Sequence, residues 1–193
     1  NIPPKLLADL QVVLRNSQQL GSLIDDVLDL SQLDAGRMAL TMGHAAPQAI
    51  ITAACEAISP LIQSRNLLLS VDIEPDLPLI WCDETRIREV FLNLLSNAAR
   101  FTEKGSVTVR AWRDGANLMV SVQDTGRGIS AEDREKLFRP FQQADGSIRR
   151  KYGGTGLGLS ISKSFIELHD GRMWVESDLG SGTTFFFSLP VDS

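Results

Sequence analysis

Apolar residues recur along this chain in two different rhythms, one helical and one mixed. In the first 35 residues Leu6, Leu10, Val13, Ser17, Leu20, Ile24 and Val27 follow one another at alternating spacings of four and three. That is a heptad seam with Ser17 as its polar member. Leu23, Leu28, Leu30 and Leu33 widen the stripe, which suits a helix bundle better than a two-stranded coil. Pro3 and Pro4 stand where a helix can begin, and Gly36 stands where it can stop. So apolar a stripe needs company. It predicts half of a helical hairpin whose partners lie outside this chain, the alternative being a helix packed on its own domain.

From about residue 47 the pattern becomes mixed α and β. Residues 47–66 carry Ile50, Ala54, Ala57, Ile58, Leu61 and Ile62 at helical spacing, and 67–73 and 79–82 read as short strands. Asp83 can cap a helix whose apolar face is Ile87, Val90, Phe91, Leu94, Leu95 and Ala98. Residues 106–112 and 117–123 alternate in period two and are joined across Asp114-Gly115, a hairpin signal. Ser130-Ala131-Glu132-Asp133 reads as a capping box, whereas 139–155 shows no periodicity. A helix follows through Leu157, Ile161, Phe165 and Leu168, closed by Gly171. Two last strands, 172–176 and 183–189, flank the turn Gly180-Ser181-Gly182. The expectation is an α+β two-layer sandwich, an antiparallel-leaning sheet with helices on one face, preceded by one long helix. The expected domains are residues 1–40 and 41–193.

Composition narrows the function. The 193 residues are 43% apolar and 22% charged, enough to bury a core and unlike disordered or disulfide-scaffold chains. Nineteen basic against 24 acidic residues leave a net charge of −5, which argues against a nucleic-acid partner. Cys55 and Cys82 fit no metal spacing and are expected as buried free thiols in a reducing compartment. No apolar run approaches the ~20 residues of a membrane span, and no signal peptide is visible. The first residue is Asn1 rather than Met, so the expectation is a piece of a longer protein.

Three segments could carry chemistry. On the helix after Asp83, the face opposite the apolar stripe bears Glu89, Asn93, Asn97 and Arg100 in one line. Two amides and a cation offer oxygen ligands for a hard divalent metal and charge for a phosphate, though a solvated helix face would look the same. Asp124-Thr125-Gly126-Arg127-Gly128 ends a strand with a carboxylate followed by two spaced glycines. Such a carboxylate can accept from an exocyclic amine, and the glycines let a planar base approach the backbone; alone, the segment also fits a plain turn. Gly126-x-Gly128-x-x-Ala131 matches the dinucleotide fingerprint only formally, because hairpin strands precede it and no βα unit follows. Gly153-Gly154-Thr155-Gly156-Leu157-Gly158 opens a helix, leaving bare N–H groups at the positive end of its dipole. It is not a Walker A loop, since no Gly-Lys-Ser/Thr follows. Upstream, Arg149-Arg150-Lys151 adds three positive charges in an aperiodic stretch that reads as a mobile lid or a solvated loop.

Taken in order, these segments resemble the ATP-binding domain of sensor histidine kinases, within the wider family that includes DNA gyrase, the heat-shock chaperone ATPases and the mismatch-repair ATPases. Asn93 to Thr102 resembles the asparagine box, Asp124 to Gly128 the first glycine box, and Phe138-Arg-Pro-Phe141 the phenylalanine box. Gly153 to Gly158 resembles the second glycine box, and Gly180 to Thr184 the third. Residues 3–35, ending Leu30-Ser-Gln-Leu-Asp34, resemble the second helix of the dimerisation hairpin. The resemblance implies a Bergerat-type ATP-binding fold with ATP and Mg²⁺ as cofactors. By that likeness Asn97 would ligate Mg²⁺ with Asn93 beside it, Arg100 would contact phosphate, and Phe101 would wall the pocket. Asp124 would recognise the adenine amine, with Gly128 against the ring and Thr183 reaching adenine. Gly154, Gly156, Leu157 and Gly158 would contact phosphates, and Gly126, Ile129 and Thr155 complete the implied ATP-binding set. The family often has an arginine where Gln143 aligns, which passes the lid contact to Arg149 or Arg150.

Within that family the gyrase-like ATPases place a glutamate one turn before the metal asparagine to activate water. This chain has the amide of Asn93 there, which cannot act as a base, and Glu89 lies a further turn away. The resemblance therefore implies phosphoryl transfer to a protein histidine, for onward transfer to a response-regulator receiver domain. His44 falls in an expected linker and His169 at a helix end, where it reads as a dipole-compensating residue. Neither stands in an acceptor context, so the acceptor helix, of the same or a partner protomer, is expected outside the chain. A homodimeric parent and a cytoplasmic position for this segment are also implied, with membrane anchoring of the parent left open. The competing readings are a nucleotide-binding dimerisation module without transfer and a gyrase-like ATPase.

Overall fold

The computed structural model of the protein describes residues 3–142 and 155–191. The chain divides into two compact units, residues 1–38 and 39–193. The first unit is a single helix, α1 (Pro4–Asp34), entered through a proline in its first turn and left through Ala35 and Gly36, the latter at φ +63°. A residue with a Cβ would be strained there, so glycine terminates the helix. The heptad residues Leu6, Leu10, Val13, Leu20, Ile24 and Val27 all lie 43–60% exposed.

The second unit contains β1 (Gly43–Ala45), α2 (Pro47–Ser64), β2 (Leu68–Ile73), β3 (Ile80–Cys82), α3 (Glu84–Phe101), β4 (Ser106–Asp114) and β5 (Asn117–Asp124). After these come α4 (Ala131–Lys136), α5 (Gly158–Leu168), β6 (Arg172–Ser177) and β7 (Thr183–Pro190). Five strands form one sheet in the order β2-β4-β5-β7-β6. The pairs β4–β5, β5–β7 and β6–β7 are antiparallel, as expected, but β2 runs parallel to β4. A parallel pair needs a crossover rather than a hairpin, and the β3–α3 segment provides it. Inward residues alternate along the central strands: Val107, Val109 and Ala111 on β4, Val120 and Val122 on β5, Phe185, Phe187 and Leu189 on β7. They meet the buried faces of α2, α3 and α5, so the helices share one face of the sheet.

Two local readings of the sequence are corrected. The strand at β3 does not join the main sheet; it pairs antiparallel with β1, in the stretch read as linker. His44 therefore stands opposite Trp81, the two rings 4.8 Å apart and edge-on. At the end of α5 the left-handed residue is Asp170, at φ +57°, not Gly171. Gly171 is glycine for another reason: a Cβ there would run into the Ser188 carbonyl of β7.

Cys55 on α2 and Cys82 at the end of β3 are free and buried. Burial pushes both thiols up to about 11, and the charges of Asp83 and Glu84 add to the effect at Cys82. Since the thiolate is the reactive form, both should resist iodoacetamide at pH 8 in the native protein and react together in urea. Mass spectrometry after timed alkylation checks this; rapid native labelling of either cysteine would contradict it.

Candidate functional site

The first half of the site is built on α3. Asp83 caps the helix, its Oδ1 accepting from the N–H groups of Thr85 and Arg86 at 3.1 and 3.2 Å. With one stripe committed to the core, the opposite face presents Glu89, Asn93, Asn97 and Arg100. Asn93 Nδ2 donates to Ser162 Oγ of α5 at 2.9 Å, and Asn97 Nδ2 donates to Asn93 Oδ1 at 3.3 Å. This chain of bonds sets the orientation of both amides and uses the Asn97 Nδ2 group, leaving its Oδ1 as the hard oxygen of the pair. Glu89 is engaged by Arg86, whose guanidinium lies 3.0 Å from its carboxylate. Burial lowers the Arg100 pKa from its ordinary value, and the charge of Arg65 lowers it further. Arg65 also donates to the Arg100 carbonyl at 3.4 Å.

The second half lies where α3 ends beside the tips of β5 and β7. Asp124 is 5% exposed, and its Oδ1 accepts from Gly126 N–H at 2.8 Å. Burial raises its pKa above the ordinary 3.8, while the N–H groups of Gly126 and Thr183 and the hydroxyl of Thr102 act in the opposite direction. Thr102 Oγ1 is fully buried near that carboxylate, yet makes no hydrogen bond of good geometry. The carboxylate and a poorly aligned hydroxyl therefore sit side by side. Gly126 is closely packed: a Cβ there would lie 2.6 Å from the Phe101 carbonyl and 2.7 Å from Asp124 Oδ1. Arg127 places its guanidinium carbon 5.9 Å from the Phe101 ring centre.

Other expected residues are accounted for by neighbouring atoms. Gly128, at φ +71°, would drive a Cβ into the Asp178 carbonyl, which by itself requires glycine. Ile129 N–H donates to Ser177 Oγ at 2.9 Å; Ser177 Oγ donates to the Gly182 carbonyl at 2.7 Å and lies 3.1 Å from Thr183 Oγ1. Sequence reasoning passed over Ser177 and Thr102. The register of Ser177 opposite Thr183 carries the signal for the former, and its position after the asparagine helix for the latter. In the glycine-rich segment, Thr155 Oγ1 accepts from Leu157 N–H at 3.1 Å, and Gly156 takes φ +73°. The Leu157 side chain is wholly buried and packs in the core. Gly158 touches Asn93: a Cβ there would lie 2.5 Å from Asn93 Oδ1. Gly154 and Arg149 lie outside the described residues.

His169 departs from the dipole-compensating role. It is 4% exposed; its Nε2 accepts from Asp83 N–H at 2.9 Å, and its Nδ1 lies 2.7 Å from the Phe165 carbonyl. An N–H donor aimed at Nε2 requires a lone pair there, so the proton belongs on Nδ1. The ring is a two-way hydrogen-bonding bridge between Asp83 and Phe165. On the opposite, helix-free face of the sheet, a concavity of about 540 Å³ lined by Arg110, Trp112, Ser121 and Phe186 contains none of the site residues.

An amide pair next to a glycine-opened helix, continuous through α3 with a buried carboxylate and close-approach glycines, defines a nucleotide-binding domain. The chain belongs to the family of histidine kinase-, DNA gyrase B- and HSP90-like ATPases, whose model matches residues 82–193. It is 40% identical over 181 residues to the circadian input-output histidine kinase CikA of Synechococcus elongatus, covering 91% of this chain and 24% of the relative. It is 36% identical over 196 residues to the sensor protein GacS of Pseudomonas syringae pv. syringae, covering 98% and 22%. The chain thus spans about a quarter of the length of these curated relatives. Full-length ShkA, solved in complex with AMPPNP, superposes with a TM-score of 0.86 at 28% identity, over all of this chain and 40% of that one. The domain is accordingly of the histidine-kinase ATP-binding type, and the α+β sandwich preceded by a long helix is that of its structural relatives.

The raised Asp124 pKa carries a sign that can be tested without ligand. The folded state holds this proton to higher pH than the unfolded chain, so the Asp124 contribution favours folding below the unfolded value and is lost as pH rises through the folded one. Asp124→Asn removes the buried charge and keeps one acceptor oxygen. In urea unfolding followed from pH 4 to 7, the variant should gain stability relative to the parent as pH rises; a constant difference would refute the assignment. Gly126→Ala should cost about 1–3 kcal/mol in the same assay, because its Cβ meets a backbone carbonyl and a held carboxylate.

Proposed function

We propose that this chain is the catalytic portion of a two-component sensor histidine kinase. It would bind Mg²⁺-ATP and transfer the γ-phosphoryl to a histidine on a helix outside residues 1–193, for onward transfer to a receiver-domain aspartate. One observation carries the choice of transfer over hydrolysis. The position one turn before Asn97 holds the amide of Asn93, tied to Ser162 and Asn97, while Glu89 is held by Arg86. Among the described residues, no carboxylate on this helix face is placed to take a proton from water, and Asn93 has no basic lone pair to offer. The histidine-kinase names of the relatives support the same choice.

The residues fit the proposed ligands. Asn97 Oδ1 is the hard oxygen that would hold Mg²⁺, and Asn93 orients it. Asp124 would accept from the adenine amine, with Thr102 Oγ1 as a second polar partner, and the absence of a side chain at Gly126 lets the Phe101 carbonyl pack against that carboxylate. Backbone N–H groups at the start of α5 and the guanidinium of Arg100 would face phosphate oxygens, with Arg149 proposed from the glycine-rich approach. Bound Mg²⁺-ATP supplies a phosphoryl group whose transfer depends mainly on positioning and charge neutralisation. The chain holds the donor, whereas the imidazole nucleophile comes from its partner helix. Residues 1–40 are proposed as the second helix of the dimerisation hairpin, with a homodimeric parent and a cytoplasmic place for this segment. The exposed heptad stripe supports that reading.

The expected result is magnesium-dependent ATP binding with negligible phosphate release, and transfer of label from γ-³²P-ATP once a histidine-bearing hairpin helix is added. Asn97→Ala should abolish the magnesium-dependent part of binding, with unfolding by urea little changed because that helix face is polar. Steady phosphate release by the unmixed chain would overturn the kinase reading in favour of an ATPase.

A further inference from the structure

α3 and α5 run past one another in opposite directions and are tied at both ends. Asp83 and Asn93 are ten positions apart, and Gly158 and His169 eleven, about 15 and 17 Å of helix at 1.5 Å per residue. At the near end, Asn93 bonds Ser162 and abuts Gly158. Between the ends, the Arg86 guanidinium lies over the Phe165 ring at 4.8 Å. At the far end, His169 accepts from Asp83 N–H and bonds the Phe165 carbonyl. The far joint is more than a cap. The same Asp83 that receives His169 on its backbone uses its carboxylate to start α3 and, through Oδ2, to accept from Thr41 N–H at 2.8 Å. Both His169 and Asp83 are buried, at 4% and 7% exposure.

We propose that His169 is a positioning residue of the nucleotide site: its bridge to Asp83 sets the lengthwise register of the glycine-opened helix against the asparagine helix. This rests on the kinase reading above. The Asn93–Ser162 bond fixes the near end and the two directional bonds on the His169 imidazole fix the far end, whereas cation–π and apolar contacts between the same helices tolerate sliding. A slip of α5 along α3 moves the glycine-rich start, which would face phosphates, relative to Asn93 and Asn97, which would hold the metal. It leaves the base side alone, because Asp124, Gly126 and Thr183 belong to β5, β7 and their connections. Loss of the bridge should therefore weaken the metal–phosphate part of binding and spare the base part.

The test uses the full 193-residue chain, with each variant studied well below its own melting temperature. Mg²⁺-ATP and adenosine affinities are measured side by side by calorimetry or NMR titration. His169→Phe keeps a ring and removes both polar bonds; His169→Gln keeps an acceptor within reach of Asp83 N–H. His169→Phe should lose about tenfold or more in Mg²⁺-ATP affinity, the size typical of residues that orient metal ligands. Its adenosine affinity should stay within about twofold, and His169→Gln should recover most of the loss. If His169→Phe does not fold, His169→Asn, whose shorter amide reaches Phe165 but not Asp83, is expected to show the same split. Unchanged Mg²⁺-ATP affinity overturns the proposal, and so does a parallel loss of both ligands, which marks a merely structural role. Failure of the unmutated chain to bind Mg²⁺-ATP at all overturns the functional reading itself, and this proposal with it.

Discussion

The second unit depends on one constraint: α3 must be a core helix and a polar platform at once. Ile87, Val90, Phe91, Leu94 and Leu95 on one side are buried against the sheet and α2, with Phe91 edge-on to Phe187 of β7 at 5.2 Å between ring centres. That burial leaves the opposite face no freedom to rotate. Fully burying each large apolar side chain contributes roughly 1.5–3 kcal/mol, so turning the helix to bury the amides instead would forfeit many times the value of any one polar contact. The face that carries Asn93 and Asn97 is thus set by the buried residues on the other side of the helix. The tightness of the base side follows from the same helix, since its terminal carbonyl at Phe101 packs where a side chain on residue 126 would lie.

Asp124 shows the opposite balance. Placing a carboxylate at 5% exposure on a strand end costs desolvation, and the surrounding N–H groups offset only part of it, which is why its pKa remains raised. A packing optimum would have an apolar residue there. Such a locally unfavourable group inside a well-packed sheet is what a binding site looks like when stability and function compete.

Much of this was legible in the residues because it depends on local rules. The Asp83 cap, the period-two hairpin across Asp114-Gly115 and the amphipathic face of α3 require only spacing and hydrogen-bonding capacity, and they stand where expected. What escaped depends on partners distant in sequence. The parallel pairing of β2 with β4 follows from a crossover that no strand pattern encodes. The β1–β3 ribbon is two three-residue strands, too short for periodicity to be seen. His169 was misread because its neighbours in the chain suggest a helix end, whereas its decisive partner is Asp83, 86 positions away. Several glycines taken for ligand contacts prove to be demanded by nearby atoms, Gly128 by Asp178 and Gly158 by Asn93. That requirement leaves room for a ligand role without being evidence of one.

The placement of the aromatic residues has an optical consequence. The interior uses phenylalanine, with Phe91, Phe165 and Phe187 among its largest fully buried side chains. All three tryptophans are at or near the surface: Trp81 on the ribbon against His44, Trp112 on the helix-free sheet face, and Trp174 stacked on Phe186 at 5.2 Å. Light absorbed by this protein near 295 nm is therefore emitted from its periphery. Its fluorescence colour is set by what touches the ribbon and the outer face of the sheet, and the hydrophobic interior, being phenylalanine, stays dark.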